Sequence, residues 1–301
     1  MNGTGKQQID LDDSRVTVRK SNCLLCGANR PVLLFQANNL RKRTKKFFPV
    51  SRCSACGFVY SDVVPDDESL SLYYQDNEEH LPQEMSLLEK GYYNLFRRLP
   101  VRSGKVLDVG CGNGRFLSYI RDKGYEAVGT DLYGLEYPKN ILKLNVHKGQ
   151  LYDIGFAPES FDVVCFWGSL EHIQDPLRTL QEARRILKQN GHVVAWTLNR
   201  DSFEARMFTR YWHHMYVPEH FSQFSDKTLG AMIEKAGFTM MNMRHDMLSF
   251  GFVGSLQGWL YSRGINMKIH CMATNLLALP FDILASLCKK SGLITAYARK
   301  R

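Results

Sequence analysis

Short apolar runs alternate with amphipathic segments along the chain from Lys105 onward. Apolar runs rich in valine and aromatic residues are typical of strands, and apolar positions three or four residues apart are typical of helices. Glycines at Gly124 and Gly191 stop the two helices that the pattern predicts here. The predicted strands lie at 105–109, 125–132, around 141–149, at 161–168 and at 192–199, and the helices at 114–124 and 176–191.

The pattern continues to the end of the chain. Ser225 is the expected N-cap of a helix over 225–238, which leads into the segment 239–248, and a last strand is predicted at 293–300. Strands that alternate with helices form a parallel sheet covered on both faces, with right-handed crossovers. We therefore predict an α/β, doubly wound fold.

Changes in composition divide the chain into segments. We predict a disordered tail at 1–20, a cysteine-containing module at 21–62, and a helical cap at 63–100 rich in acidic and aromatic residues. The α/β domain then spans 101–301 and carries an apolar helical insertion at 251–291.

The overall composition excludes few classes of protein and few kinds of binding partner. Hydrophobic residues make up 44% and charged residues 23% of the 301 residues, as in an ordinary globular protein. The net charge of +9 suits nucleic acid, anionic lipid or phosphorylated substrates. A polar N-terminus, and the lack of the apolar run of about 20 residues that a membrane span needs, lead us to expect a cytoplasmic protein.

The stretch KVLDVGCGNGRFLSYI, residues 105–120, holds three glycines at alternate positions after a predicted strand. Glycines at such a turn let a ligand approach the backbone closely. A dinucleotide loop has the spacing G-x-G-x-x-G, but here the third glycine comes one residue early. An acid before the loop, Asp108, would repel a pyrophosphate and suits a ligand with an ammonium group. A second acid, Asp131, ends the next strand, where it can bind a ribose diol.

VLDVGCGNGRFL, GTDL and SFDVVCFWGSLEHIQDP together resemble the class I S-adenosylmethionine-dependent methyltransferases over roughly residues 100–250 and the last strand. The resemblance implies a Rossmann-like, seven-stranded sheet whose last strand is antiparallel to the rest. It also implies roles in binding S-adenosylmethionine: Asp108 and Gly110 at the methionine end, Gly112 and Gly114 in shaping the loop, Asp131 at the ribose hydroxyls, and Leu132 against adenine.

Two further parts of the expected cofactor site are less regular. One departs from the family pattern, and the other could be explained by packing alone. Gln150 stands where the family usually has an acid for the adenine amino group, with the backbone amide of Leu151 beside it. Trp167 and Gly168 are expected to line the cofactor near its sulfonium, although Trp167 could equally pack as a buried indole.

Methyl transfer to a hydroxyl or an amine requires alignment of the acceptor and a base. His172, just after the fourth strand, is the leading candidate, with a helix-start motif as the alternative. The segment RYWHHMYVPEHFSQFS, residues 210–225, is predicted to be a lid over the acceptor. We name this segment the lid. His220 within it is a second catalytic candidate, unless it serves with Pro218 to hold the lid's own fold.

Two C-x-x-C-G motifs supply Cys23, Cys26, Cys53 and Cys56. Four thiolates at this spacing favour one structural Zn²⁺ in a zinc-ribbon-like module, and four unrelated thiols or a redox pair are the alternatives. A zinc ribbon ahead of this domain resembles bacterial methyltransferases that act on sugars or natural products. The basic run 41–46 between the motifs could bind nucleic acid or form a solvated hairpin.

Within the insertion at 251–291, the apolar run 273–287 is too short to span a bilayer, and it contains Pro280 and Asp282. The insertion could lie on a membrane, with Lys289 and Lys290 near lipid phosphates, or pack as a flap or a dimer contact.

The combined pattern predicts an S-adenosylmethionine-dependent methyltransferase for a small-molecule acceptor: a sugar, a glycan or a lipid-linked intermediate. The alternative is a nucleic-acid-binding protein or an RNA or DNA methyltransferase that uses the basic zinc ribbon. FWGSLEH follows the fourth strand where amino-methylating nucleic-acid enzymes carry an N-P-P-Y type tetrapeptide, and this disfavours nucleic acid as the partner. An intact glycine loop and Asp131 disfavour a binding fold without catalysis.

Overall fold

The computed structural model describes residues 16–40, 44–74, 91, 93–247, 251–267, 269 and 272–301. In the N-terminal part the elements are β1 (Val18–Lys20), β2 (Pro31–Ala37), β3 (Phe48–Cys53), β4 (Val59–Tyr60), β5 (Val63–Pro65) and α1 (Asp67–Leu72). The central part contains β6 (Lys105–Val109), α2 (Arg115–Arg121), β7 (Glu126–Asp131), α3 (Glu136–Asn140), β8 (Asn145–Lys148), α4 (Leu151–Ile154) and β9 (Phe161–Trp167).

The C-terminal part contains α5 (Pro176–Ile186), β10 (Leu187–Leu198), α6 (Phe203–Phe208), β11 (Ser222–Gln223), α7 (Asp226–Lys235), β12 (Phe238–His245), α8 (Gly251–Ser262), α9 (Met272–Leu287) and β13 (Leu293–Lys300). Short 3-10 turns occur at Asn94–Arg98, Leu170–His172 and Thr209–Tyr211.

Seven strands form the main sheet in the order β12-β13-β10-β9-β6-β7-β8. β13 is antiparallel to both of its neighbours, whereas β10, β9, β6, β7 and β8 pair in parallel. This arrangement confirms the predicted α/β fold with an antiparallel last strand. The chain moves from β6 to β7 on one side and continues through β9 and β10 on the other, so the strand order reverses between β6 and β9. Ligands of such sheets bind at the carboxyl ends of the strands beside this point.

One predicted helix ends earlier than its sequence pattern indicates. α5 ends at Ile186 rather than at Gly191, and Leu187 is fully buried in extended conformation opposite Phe161 of β9. Asn190 has a φ of 60°, and a Cβ on Gly191 would lie 2.9 Å from the carbonyl oxygen of Lys188. The pairing of Leu187 with β9 therefore outweighs the helical periodicity of residues 187–191, which follow α5.

The predicted disordered tail at 1–20 is wrong for its last residues. Val18–Lys20 form β1, which pairs antiparallel with Val63–Pro65, and Val16 is buried. The N–H of Thr17 also donates to Ser69 Oγ at 2.9 Å, because α1 lies directly beside this pair of strands. Residues 1–15 lie outside the described residues.

The predicted helical cap at 63–100 is also helical only in part. It begins with the strand β5, continues into α1, and ends with the 3-10 turn at Asn94–Arg98. Residues 75–90 and Tyr92 lie outside the described residues. The aromatic residues that are described support the domain: Tyr93 packs on Phe116 of α2, with ring centroids 5.1 Å apart.

The sheet of the cysteine-containing module includes a strand from outside residues 21–62. The sheet has the order β11-β4-β3-β2, so a strand of the lid completes it. Ser222 and Gln223 pair with Tyr60 and Val59. Phe58, which is fully buried, packs against Phe224 with ring centroids 5.5 Å apart. The module and the lid therefore form one packed unit.

The apolar insertion at 251–291 folds as the helices α8 and α9 between β12 and β13. α8 packs against α6 and the lid: a Cβ on Gly254 would lie 2.2 Å from His213 Nδ1, and the N–H of His213 donates to Ser255 Oγ at 2.8 Å. Among the described residues no helix has the length and hydropathy that crossing a bilayer requires.

Candidate active site

The glycine loop after β6 needs glycine at two of its three predicted positions because of close packing. Gly110 has a φ of 76°, and a Cβ there would lie 2.5 Å from Ser169 Cβ. Gly114 has a φ of 75°, and a Cβ there would lie 2.6 Å from Leu144 Cδ1. Gly112 has a φ of 49°, but a Cβ there would meet no atom within 4 Å. Open space therefore lies in front of the middle of the loop.

Asp108 is buried near the end of β6, with 2% of its surface exposed. Its Oδ1 has no hydrogen-bond partner among the described residues. Burial, together with the charge of Asp131, raises the pKa of Asp108 well above its usual range. A buried carboxyl in this state gains stability from a cationic partner.

Asp131, at the end of β7, organises the glycine loop. Its Oδ2 accepts the N–H of Gly112 at 2.7 Å, and its Oδ1 accepts the N–H groups of Leu132 at 2.7 Å and Tyr133 at 3.1 Å. Burial raises the pKa of Asp131, while these three amide donors act in the opposite direction. A carboxylate has about four lone-pair sites, so one remains for a further donor.

These observations fit S-adenosylmethionine. The orphaned Oδ1 of Asp108 offers an acceptor for an ammonium group, and the open space at Gly112 lets a ligand approach the backbone. Asp131 retains acceptor capacity for a hydroxyl at the end of the next strand. The loop, its two acids and the switch point of the sheet lie together, as the sequence predicted.

Gln150 and Leu151 lie at the start of α4, where Gln150 is the N-cap residue. The side chain of Leu151 is 1% exposed and belongs to the core. Only its backbone could therefore contact a ligand. Leu132, directly after Asp131, is half-buried beside the loop.

Trp167 packs between two aromatic rings at the end of β9. Its ring stacks on Phe116 at 5.1 Å and on Trp196 at 5.6 Å between centroids. Gly168 has a φ of 67°, and a Cβ there would lie 3.1 Å from the ring of Trp196. These contacts hold the half-buried indole of Trp167 in place at the carboxyl end of β9, and the expected role of Trp167 and Gly168 near the cofactor stays a prediction.

His172 contacts a residue from a distant part of the chain. Its Nδ1 lies 3.0 Å from the hydroxyl of Tyr74, and the ring of Tyr74 stacks on Tyr133 with centroids 4.7 Å apart. Tyr133 follows the ribose candidate Asp131 by two residues. Tyr74 therefore connects the cofactor loop with the candidate base, a role that sequence reasoning missed because 98 residues separate Tyr74 from His172.

His220 lies against His172, with ring centroids 4.3 Å apart and nearly perpendicular ring planes. Its Nδ1 lies 2.8 Å from the carbonyl oxygen of His214, to which it donates in the neutral form. Burial, with the nearby His172, lowers the pKa of His220 well below its usual range. His220 is thus a neutral group tied to its own segment, which agrees with the lid-fold alternative.

Glu171 is the third member of the cluster that contains His172 and His220. Its carboxylate and the ring nitrogens of His172 and His220 lie within 4.8 Å of one another. Glu171 is buried and accepts the hydroxyl of Thr197 at 2.7 Å. Burial raises the pKa of Glu171 to about 7, with the Thr197 bond acting in the opposite direction.

The four paired cysteines converge on one point. Sγ of Cys23 lies 3.5 Å from Sγ of Cys56, and Sγ of Cys26 lies 3.6 Å from Sγ of Cys53. Gly27 and Gly57 have φ values of 80° and 79°, so the two C-x-x-C-G turns have the same shape. Part of the basic run between them, residues 41–43, lies outside the described residues.

Comparison with known proteins identifies the family to which the chain belongs. A family model described as a methyltransferase domain matches residues 78–242, more than half of the chain. This chain belongs to the methyltransferase-domain family. It is a class I enzyme that depends on S-adenosylmethionine, as the loop and the sheet predicted.

Curated relatives share the catalytic domain at moderate identity. The chain is 30% identical over 181 residues to a ubiquinone biosynthesis O-methyltransferase of Cereibacter sphaeroides, covering 54% of this chain and 69% of that protein. An enzyme of the same name from Aliivibrio fischeri is 35% identical over 107 residues, covering 32% of this chain and 45% of that protein.

Solved structures share the fold. An S-adenosylmethionine-dependent methyltransferase of Archaeoglobus fulgidus superposes with a TM-score of 0.51 at 18% identity, covering 76% of this chain and 99% of that one. The [4+2]-cyclase SpnF superposes with a TM-score of 0.50 at 16% identity, covering 74% and 84% of the two chains. Likeness at this level is evidence for the fold alone.

The buried Glu171 predicts a pH dependence of stability. Its pKa is higher in the folded state than its ordinary value of 4.5, so the unfolded chain loses the proton first as pH rises. The folded state is therefore destabilised progressively between pH 4.5 and about 7, by roughly 3 kcal/mol in total. Glu171→Gln keeps an acceptor for Thr197 but does not ionise, so the wild type should lose stability relative to this variant over that range.

Denaturant unfolding of the wild type and of Glu171→Gln at about pH 5, 6, 7 and 8 measures the difference. Glu234→Gln, which changes an exposed carboxylate of α7, is the control and should differ from the wild type by the same amount at each pH. Parallel curves for the wild type and Glu171→Gln would show that Glu171 titrates normally.

Proposed function

We propose that this methyltransferase methylates a hydroxyl oxygen of a small-molecule acceptor. A sugar, a glycan or a lipid-linked intermediate is the expected class, with the lipid-linked type favoured. The observation that carries the proposal is the position of His172 beside Tyr74 and Tyr133, next to the cofactor loop. The names of the relatives support O-methylation in the biosynthesis of a small molecule.

Residues of the loop would hold the cofactor in the proposed site. Asp108 would accept the ammonium group of its methionine part, Gly110 would lie beside that part, and Gly112 and Gly114 would shape the loop. Asp131 would accept a ribose hydroxyl while it holds the loop amides. The remaining candidates would surround the adenine and the sulfonium. We assign Leu132, Gln150 and the amide of Leu151 to the adenine, and Trp167 and Gly168 to the neighbourhood of the sulfonium.

When bound, S-adenosylmethionine supplies a methyl group on a sulfonium that leaves as a neutral thioether. The chain has to align the acceptor and remove its proton. In the tautomer in which His172 donates Nδ1–H to the Tyr74 hydroxyl, Nε2 carries a lone pair. The proton of the acceptor hydroxyl would pass to Nε2, and the neutral His220 would keep the His172 ring in place.

The cysteine cluster supports a structural zinc site. Tetrahedral coordination with Zn–S bonds of about 2.3 Å places neighbouring sulfurs about 3.8 Å apart, close to the separations in the cluster. Burial raises the pKa of the Cys23 thiol, and the backbone amides of Cys26 and Leu25 act in the opposite direction; burial also acts to raise the pKa of Cys53, but the amides of Cys56 and Ala55 help to lower it to about 7. Such donors stabilise thiolates in a metal site. We assign Cys23, Cys26, Cys53 and Cys56 as ligands.

A screen with radiolabelled S-adenosylmethionine tests the acceptor. Nucleotide sugars, glycans and polyprenyl-linked phenols are offered in parallel, with RNA and DNA as the competing class. Label in a hydroxyl-bearing small molecule supports the proposal, whereas label in nucleic acid alone contradicts it.

Asp131→Ala should weaken the binding of S-adenosylmethionine by about 5- to 150-fold, because charged hydrogen bonds worth roughly 1 to 3 kcal/mol are lost. Calorimetry measures the dissociation constant. Asp131→Asn keeps an acceptor for the loop amides and separates loss of charge from loss of the loop. Asp122→Ala, an exposed acid after α2, is the control. An unchanged affinity in both Asp131 variants would rule out the ribose assignment.

His172→Ala should lower kcat by roughly 10²- to 10⁴-fold, because the acceptor loses its base. The affinity for S-adenosylmethionine should stay within about twofold of the wild type, as calorimetry would show. His147→Ala in β8, whose ring packs on Phe156, is the control. Full turnover in His172→Ala would remove His172 as the base.

Cys53→Ser should abolish stoichiometric zinc and lower the thermal midpoint, because metal binding and the fold of such modules are coupled. Metal content by mass spectrometry and thermal unfolding are measured on the purified chain. Cys288→Ser, which changes an exposed cysteine after α9, should retain one zinc per chain. Equal metal content in both variants would refute the assignment.

A further inference from the structure

Helix α9 turns its apolar side outward. Asp282 and Ala285, each 2% exposed, face the protein, and Phe281 packs on Phe252 of α8 with ring centroids 4.7 Å apart. Leu277 is 81% and Leu287 77% exposed. At about 100° per residue the exposed positions fall within an arc of about 120°. We name this surface the outward face of α9: Leu276, Leu277, Pro280, Ile283, Leu284 and Leu287.

The exposed charged residues of the insertion that flank this face have one sign. Asp282 is the only acidic residue in 251–291, and it is buried on the inner side of α9. Arg263 follows α8 directly, and Lys289 and Lys290 follow α9. An ordinary solvent-facing helix carries charged residues on its outer side, so the combination of exposed leucines and flanking bases calls for a partner.

The face belongs to the same structural unit as the candidate site. Phe252 of α8 also packs on Phe208 of α6, with ring centroids 5.5 Å apart, and α8 contacts the lid at His213. The same lid carries His220 against His172. A partner on α9 would therefore be connected through α8 to the segment that is expected to cover the acceptor.

We propose that the outward face of α9 inserts into an anionic lipid surface, with Lys289, Lys290 and Arg263 near the phosphates. Apolar side chains on one helical face with bases at its end suit the boundary between headgroups and acyl chains. A second copy of the chain would bring a second set of bases and no exposed acid from its insertion, so charge complementarity favours lipid. The inference rests on the proposed function in one respect: a lipid-linked acceptor would give the enzyme a reason to bind a membrane. The exposed apolar residues and the bases of the insertion support it independently of the acceptor.

Vesicle flotation of the full chain tests the inference. Vesicles of phosphatidylglycerol and phosphatidylcholine in equal parts are compared with pure phosphatidylcholine. Leu277→Gln, Leu284→Gln and Leu287→Gln are combined in one variant, and the matched control combines Leu33→Gln, Ile141→Gln and Met241→Gln, three apolar residues exposed elsewhere. A third variant combines Lys289→Gln and Lys290→Gln.

The wild type should float with the anionic vesicles and far less with neutral ones. The α9 variant should lose at least about tenfold in partition, the control should stay within about twofold, and each lysine should contribute about fivefold. Absence of flotation by the wild type, or equal losses in the α9 variant and the control, would overturn the inference. A wild-type dimer that becomes monomeric in the α9 variant without flotation would do the same.

The outcomes separate this inference from the proposed function. Flotation without methylation of any lipid-linked acceptor supports the docking face and refutes the acceptor class. Methylation of a lipid-linked acceptor in detergent by a chain that does not float refutes the docking face and leaves the proposed function standing.

Discussion

The hydrogen bonds of Asp131 to the backbone hold the ends of two neighbouring strands together. One carboxylate accepts amides from Gly112, on the loop after β6, and from Leu132 and Tyr133, on the turn after β7. Parallel strands bring their carboxyl ends to one edge, and these hydrogen bonds help to fix how the two loops lie relative to each other. Through Tyr133 the contact extends to Tyr74 and then to His172. Cofactor loop and candidate base are therefore parts of one arrangement.

The lid depends in turn on the cysteine-containing module. β11 pairs with β4, the N–H of Ser61 donates to the carbonyl of Phe221 at 3.0 Å, and the side chain of Asn39 donates to Glu219. Each of these contacts lies within three residues of His220. The module also contacts the helix that follows the lid, since Lys235 of α7 donates to the carbonyl oxygen of Leu25 at 2.6 Å. The module thus supports the lid.

Features encoded within one short stretch could be predicted from the sequence. The loop glycines, the strands and the N-cap at Ser225 each depend on neighbours within a few residues, so their pattern carries the information. Features that depend on distant pairing could not. The two-residue strand β11 has no pattern of its own, β1 exists because of its partner at 63–65, and α5 ends early because Leu187 pairs with β9. The contact between Tyr74 and His172 belongs to the same class, since the tyrosine lies outside the α/β domain.

A sheet shared with a [4+2]-cyclase cannot by itself determine the reaction, so the chemistry must lie in the segments around it. In this chain those segments bring acidic side chains together. Burial raises the pKa of the Tyr74 hydroxyl well above its usual range, and Glu219, Asp131 and Glu171 act in the same direction. Such a field favours a ligand that carries an ammonium and a sulfonium. It favours the neutral thioether less, because transfer of the methyl group removes the sulfonium charge. The same acids that would draw in the cofactor would therefore weaken the hold on its product.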